Sequence, residues 1–271
     1  MAKVIFWSPI PKMAGTTHAI IATATLTGIE QDLSAILIHA HWQSKKIESS
    51  YTDYDELKNT NIFNNTNVGM TALARLVESN KLTPESIKNY AKPVLKQRLD
   101  IMYGTNVTER EQFGNLVKSF PSIVRKASEA YDLVYVDMPK SNQSNYINEV
   151  VQDADLIICT VNQETVGLDD FFTNLAVNEQ IKNKKKIILI CDYEAKSKYN
   201  IYNIRSKYKV KDVIMGLPHN YIYSDSCNDG AVIDFFYKNL NADQRDYNGF
   251  FISEVRKLVK KIIEMTKVKE M

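Results

Sequence analysis

Three stretches of this chain, Leu133–Asp137, Leu156–Val161 and Lys186–Cys191, are apolar almost from end to end. A strand with one wet face alternates apolar and polar residues. A run without that alternation reads as a strand covered on both faces, which is the habit of parallel sheets. Shorter runs at Lys3–Trp7, Ala35–Ala40, Leu99–Tyr103 and Val213–Met215 extend the set. Helical spacing fills the intervals at Thr17–Gly28, Asp55–Thr60, Val68–Ser79, Gly230–Tyr237 and Phe250–Met265. Glu109–Ala130 reads as one long helical stretch broken near Pro121, and Thr83 caps a helix with Pro84 in its first turn. Strands alternating with helices predict an α/β fold, a doubly wound, mostly parallel sheet with helices on both faces. At 271 residues, with no repeat and no low-complexity linker, the sequence reads as a single domain, 1–271, with a C-terminal amphipathic helix at about 250–268.

Composition narrows the function classes. No run of about 18 apolar residues suggests a membrane span. Met1-Ala2-Lys3 leads directly into the first strand, without the apolar stretch and cleavage site of a secretion signal. Cys159, Cys191 and Cys227 are odd in number and lack metal spacing, which reads as reduced core packing and a cytoplasmic location. Residues 181–212 hold ten Lys and Arg against three acids. Such a stretch is a solvated face or a surface for DNA or another anionic partner. The last helix sets Phe251, Ile252, Val255, Leu258, Val259, Ile262 and Ile263 opposite Arg256, Lys257, Lys260 and Lys261. Such a helix either packs on the sheet or lies on a membrane surface, making peripheral attachment the alternative location.

The chemistry concentrates behind the first strand. Ser8-Pro9-Ile10-Pro11-Lys12-Met13-Ala14-Gly15-Thr16-Thr17 joins that strand to a helix of small residues, the layout of a phosphate-binding loop. Such a loop aims backbone N–H groups and a helix N-terminus at phosphates, while a hydroxyl ligates Mg²⁺ and a lysine neutralises charge. Two registers are open. The first puts Ala14 at the usual glycine, Gly15 at the lysine and Thr16 on the metal; the second keeps Gly15 as glycine, with Thr16 at the lysine and Thr17 on the metal. The lysine is missing in both. Asp137 closes an apolar strand ahead of Met138-Pro139, at the sheet edge where open α/β sheets bind ligands, and reads as the Mg²⁺-water partner. All four histidines, His18, His39, His41 and His219, fall near that edge. His39 and His41, two apart on one strand face, form with Asp137 an alternative metal site.

Two segments, Tyr131-Asp132-Leu133-Val134-Tyr135-Val136-Asp137-Met138-Pro139 and Asp153-Ala154-Asp155-Leu156-Ile157-Ile158-Cys159-Thr160-Val161-Asn162, carry a resemblance. With the N-terminal loop they make the chain resemble the ParA/MinD group of deviant P-loop ATPases, the SIMIBI class. Within it, the chain resembles the degenerate TadZ/CpaE-like branch of pilus and secretion systems. The resemblance spans roughly residues 3–265. It implies a P-loop NTPase-like fold of MinD/ParA type and a site for ATP or ADP with Mg²⁺. Nucleotide contacts would come from Lys12, Met13, Ala14, Gly15, Thr16, Thr17, Asp192 and Pro218, and in the first register Thr16 and Asp137 would hold Mg²⁺. The family's loop lysine that reaches across the dimer falls at Ile10 in that register, with Lys12 two residues on as a stand-in. The two aspartates after its second strand fall at His39 and His41, so His39 takes the catalytic, water-orienting place beside Asp137. The adenine-reading asparagine falls at Cys191 or Asp192. With these losses the resemblance implies a homodimeric localisation or assembly factor of a secretion, pilus or conjugation machine that is at most a weak ATPase. The competing readings are an active DNA-associated partitioning ATPase and a nucleotide-free scaffold.

Overall fold

The computed structural model describes residues 1–10, 14–42, 44–53, 55, 68–105, 107–139 and 145–268. Its centre is an eight-stranded sheet in the order β3-β4-β2-β5-β1-β6-β7-β8. The strands are β1 (Ala2–Trp7), β2 (Ala35–His39), β3 (Lys92–Leu95), β4 (Leu99–Ile101), β5 (Leu133–Asp137), β6 (Leu156–Asn162), β7 (Lys186–Cys191) and β8 (Val213–Leu217). All pairings are parallel except β3 with β4. The three apolar runs are β5, β6 and β7, buried along their lengths apart from the tip of β6, as strands covered on both faces must be.

One face is covered by α1 (Thr16–Glu30), α2 (Lys46–Tyr51), α11 (Tyr221–Asn228), α12 (Val232–Asn239) and α13 (Tyr247–Thr266). The other carries α3 (Gly69–Glu78), α4 (Pro84–Tyr90), α5 (Arg110–Leu116), α6 (Phe120–Ala130), α7 (Asn145–Gln152), α8 (Thr165–Val177), α9 (Glu179–Lys182) and α10 (Ile201–Tyr208). The stretch read as one helix over Glu109–Ala130 is α5 and α6 joined by a 3-10 turn, Val117–Ser119. Pro121 sits in the first turn of α6, where its missing N–H costs no hydrogen bond. Thr83 caps α4 as expected, in a reciprocal box with Ser86. The helix expected at Asp55–Thr60 lies outside the described residues apart from Asp55.

The C-terminal helix settles on the sheet. Phe251, Ile252, Val255, Leu258, Val259, Ile262 and Ile263 are all buried in the core that α1 shares. Arg256 is tied to Glu30 at the end of α1 through an Nε–Oε1 contact of 2.9 Å. The apolar stripe that could have met a membrane is therefore interior surface.

The register decides where the site forms. Phe6 and His39 both pair with Asp137, and Trp7 pairs with Cys159. The C-terminal ends of β1, β2 and β5 thus finish within one residue of each other, and β6 runs on past them to Asn162. The chain leaves β1 toward β2 on one side and later continues from β5 to β6 on the other, which opens a crevice at that edge.

Candidate nucleotide site

The N-terminus of α1 opens into this crevice. Gly15 caps the helix with φ 67°. A side chain there would be strained in that left-handed conformation and would also meet Cys191, whose Cβ would lie 2.6 Å from an added Cβ. Only glycine lets the chain turn from the loop into the helix against the end of β7.

The two threonines after it diverge. Thr17 donates its hydroxyl to Asp137 Oδ2 at 2.7 Å. Thr16 instead shares a 2.6 Å hydrogen bond with the Thr160 hydroxyl on β6. Of the two threonines, Thr17, the metal ligand of the second register, is the one that reaches the strand-end carboxylate. Thr16, the first-register choice, points away from Asp137 toward β6.

Asp137 is fully buried, yet its Oδ1 accepts no hydrogen bond. His41 Nε2 stands 3.2 Å from that oxygen, within ion-pair distance but off the line a hydrogen bond needs. Burial raises the carboxyl's pKa, but the combined pull of His41, the Thr17 hydroxyl and His39 outweighs it and holds the group below the ordinary aspartate value. Asp137 is thus an anion whose Oδ1, buried against His41 Nε2, is left without a hydrogen bond.

The histidines separate by role. His39 is buried with its Nε2 2.9 Å from Glu48 Oε1 on α2. Desolvation lowers its pKa, yet the Glu48 charge and hydrogen bond win and raise it; Glu48 is held low by the same pairing and by the Gly104 N–H. His39 thus faces α2 rather than the cavity, away from the water-orienting place. The His39 and His41 rings stack with centroids 5.7 Å apart. Their Nε2 atoms go to different carboxylates, and no cluster of three metal-ligating side chains occurs among the described residues. The alternative metal site at His39 and His41 therefore has no geometric support. His18 lies on the cavity wall, lowered to about 4 mainly by burial and then by Lys46.

A cavity of about 710 Å³ joins these groups, large enough for a small-molecule ligand. Ala14, Gly15, Thr16, Thr17 and Asp137 line it together with Asn162 at the tip of β6 and Gln163 and Glu164 beyond it. Asp192 borders it at the end of β7, in a left-handed conformation with φ 51°, and its Oδ1 lies 3.1 Å from His219 Nδ1. Pro218 lines an adjoining smaller recess with Asp192, His219 and Cys191. Lys12 and Met13 lie outside the described residues. Two wall features went unread in the sequence: Lys46 at the start of α2 and the Thr160 partner of Thr16. Lys46 belongs to no motif, and the Asp153–Asn162 segment does not mark Thr160 as a partner of the loop; each reaches the loop only through tertiary packing.

The 181–212 stretch divides likewise. Lys186 is buried, with its ammonium against the Lys182 carbonyl at 2.9 Å and Asp212 at 3.5 Å. Lys207 pairs with Asp169, and Lys184 bonds the Gln152 carbonyl.

No protein-family model matches the chain, and no characterised protein matches it in sequence. Solved structures do match in shape. A ParA family ATPase from Chlorobium tepidum superposes with TM-score 0.70 at 12% identity, covering 95% of this chain and 98% of that one. The septum site-determining protein MinD of Pyrococcus horikoshii, complexed with Mg-ADP, gives 0.67 at 11% identity over 98% and 99%. A Borrelia burgdorferi protein assigned to plasmid partition and bound to AMPPNP gives 0.65 at 15% identity over 97% and 98%. The fold is that of the ParA and MinD ATPases. Among the described residues no helix is long and apolar enough to cross a membrane.

Proposed function

We propose that this protein binds ATP or ADP with Mg²⁺ at the N-terminus of α1 and hydrolyses it very slowly or not at all. In this reading it acts as a homodimeric localisation or assembly factor of a secretion, pilus or conjugation machine. The observation that carries the binding half is the Thr17–Asp137 hydrogen bond beneath a glycine-capped helix N-terminus, at the cavity wall, with the buried Asp137 Oδ1 unsatisfied. A helix N-terminus offers free N–H groups to phosphate, and a buried carboxylate with a spare lone pair fits a hydrated cation beside it. Bound there, Mg²⁺ would supply charge neutralisation and orientation of the phosphates. Thr17 and Asp137 would hold it, Gly15 and the first N–H groups of α1 would cradle the phosphates, and Asp192 and Pro218 would border the base.

The slow half follows from what stands around the phosphates. In the second register Thr16 takes the place of a charge-neutralising lysine, and His39 is bonded to Glu48, so among the described residues no carboxylate takes the family's water-aligning place after β2. Solved neighbours that carry Mg-ADP or AMPPNP support the ligand class. The DNA-associated alternative keeps a basic surface over 181–212, where, of the lysines and arginines, only Lys186 is buried.

Thermal unfolding with and without Mg²⁺-ATP tests the reading. Ligand at 100 times its dissociation constant adds about 2.7 kcal/mol, a shift of several degrees. The stabilisation is expected in the wild type and lost in Asp137→Asn, which keeps the side chain's size. No shift at millimolar ATP sinks the proposal and leaves the scaffold reading.

A further inference from the structure

The cavity wall raises a charge problem. Its described lining carries the carboxylates Asp137, Glu164 and Asp192, and among the described lining residues Lys46 is the only lysine or arginine. A helix N-terminus contributes about half a positive charge, far less than a triphosphate carries. Granting the nucleotide reading above, on which this inference rests, we propose that Lys46 supplies a phosphate-neutralising ammonium to this cavity. It would reach the cavity from the helix after β2 rather than from the loop itself.

The packing of α2 supports this. Five features fix that short helix and hold its first residue at the cavity. Ile47 is buried in the core. Glu48 Oε1 lies 2.9 Å from His39 Nε2 and accepts the Gly104 N–H at 2.8 Å. Gly104 cannot carry a side chain, because an added Cβ would lie 2.5 Å from the His39 ring. Ser50 donates to the Lys46 carbonyl at 2.7 Å, and the Tyr51 hydroxyl bonds Thr25 of α1 at 2.9 Å. The buried His39–Glu48 pair thereby acquires a role: it is the strut that sets the height of Lys46.

The lysine side chain itself is exposed and forms no ion pair among the described residues. Lysine in the first turn of a helix faces the positive end of the dipole, an unfavourable place for α2 itself. A cation left unpaired there, beside an anion cradle, is explained by a ligand that pairs with it.

The test is calorimetric titration of Mg²⁺-ATP and of AMP into wild type, Lys46→Ala and Lys46→Arg. A charge-assisted contact with phosphate predicts about a tenfold or greater loss of ATP affinity in Lys46→Ala. The loss should be smaller for AMP, affinity should be largely kept in Lys46→Arg, and the ligand-free melting temperature should not change. ATP binding by Lys46→Ala equal to wild type, or equal losses for ATP and AMP, overturns the assignment while leaving the nucleotide reading intact. A wild type that binds neither nucleotide at millimolar concentration overturns both.

Discussion

Thr16 is the first residue of α1, one position after the glycine cap, and its hydroxyl is turned to Thr160. A lysine at that position starts from the backbone atom that points at the phosphates. Thr16→Lys is therefore expected to tighten Mg²⁺-ATP binding about tenfold by titration, the worth of one charged hydrogen bond. Unchanged affinity would mean that the phosphates do not lie over the first turn of α1. His18 gives a pH signature. Its pKa in the fold, about 4, lies below the free imidazole value, so between those values the unfolded chain binds the proton and the folded one does not. Its contribution is complete at neutral pH and is lost as pH falls from about 6.5 toward 4. His18→Gln should lose less melting temperature than wild type between pH 7 and pH 5; an equal loss in both proteins would contradict the burial of this ring. At this scale the sequence displayed Gly15 and Asp137, because a loop glycine and a strand-end carboxylate are written as local pattern. It left the choice between Thr16 and Thr17 open, since only the meeting of α1 with β5 and β6 separates their hydroxyls. Lys46 and Glu48 carried no signal, as their partners lie across the fold.

Among the elements, the buried strands were the most legible and the edges the least. β5, β6 and β7 announce themselves by unbroken apolar runs, whereas β3 begins Lys92-Pro93 and is half-exposed. Proline cannot donate to a ladder, so such a strand survives only at a sheet edge, where no apolar pattern is demanded of it. The C-terminal helix was legible as amphipathic, but its stripe could not say whether core or membrane would cover it. With that stripe interior, Leu258→Ala should lower stability by about 2–5 kcal/mol in urea unfolding, the usual cost of a core truncation. A change below about 1 kcal/mol would show that α13 detaches readily and would reopen the membrane reading.

For the whole molecule, the proposed function makes nucleotide the bond between two copies. Light scattering should report a mass near 31.0 kDa without ligand and twice that with Mg²⁺-ATP. A mass that stays single at saturating nucleotide removes the dimeric part of the proposal but not the binding part. The fold class could be read from the chain because strand–helix alternation is a global pattern repeated many times. The partner machine could not, because nothing about a docking surface recurs in that way.

The contact of Gly15 with the end of β7 has a further consequence. Cys191 is 2% exposed, its thiol pushed up by burial, with its Sγ 3.0 Å from where a Gly15 side chain would begin. An alkylating reagent is expected to reach this sulfur when the turn at Gly15 lifts away from the strand. The rate at which Cys191 is labelled, followed by peptide mass, is thus a clock for the breathing of the cradle. A ligand that rests on the turn should slow that clock in proportion to its occupancy, whether or not a single phosphate is ever released.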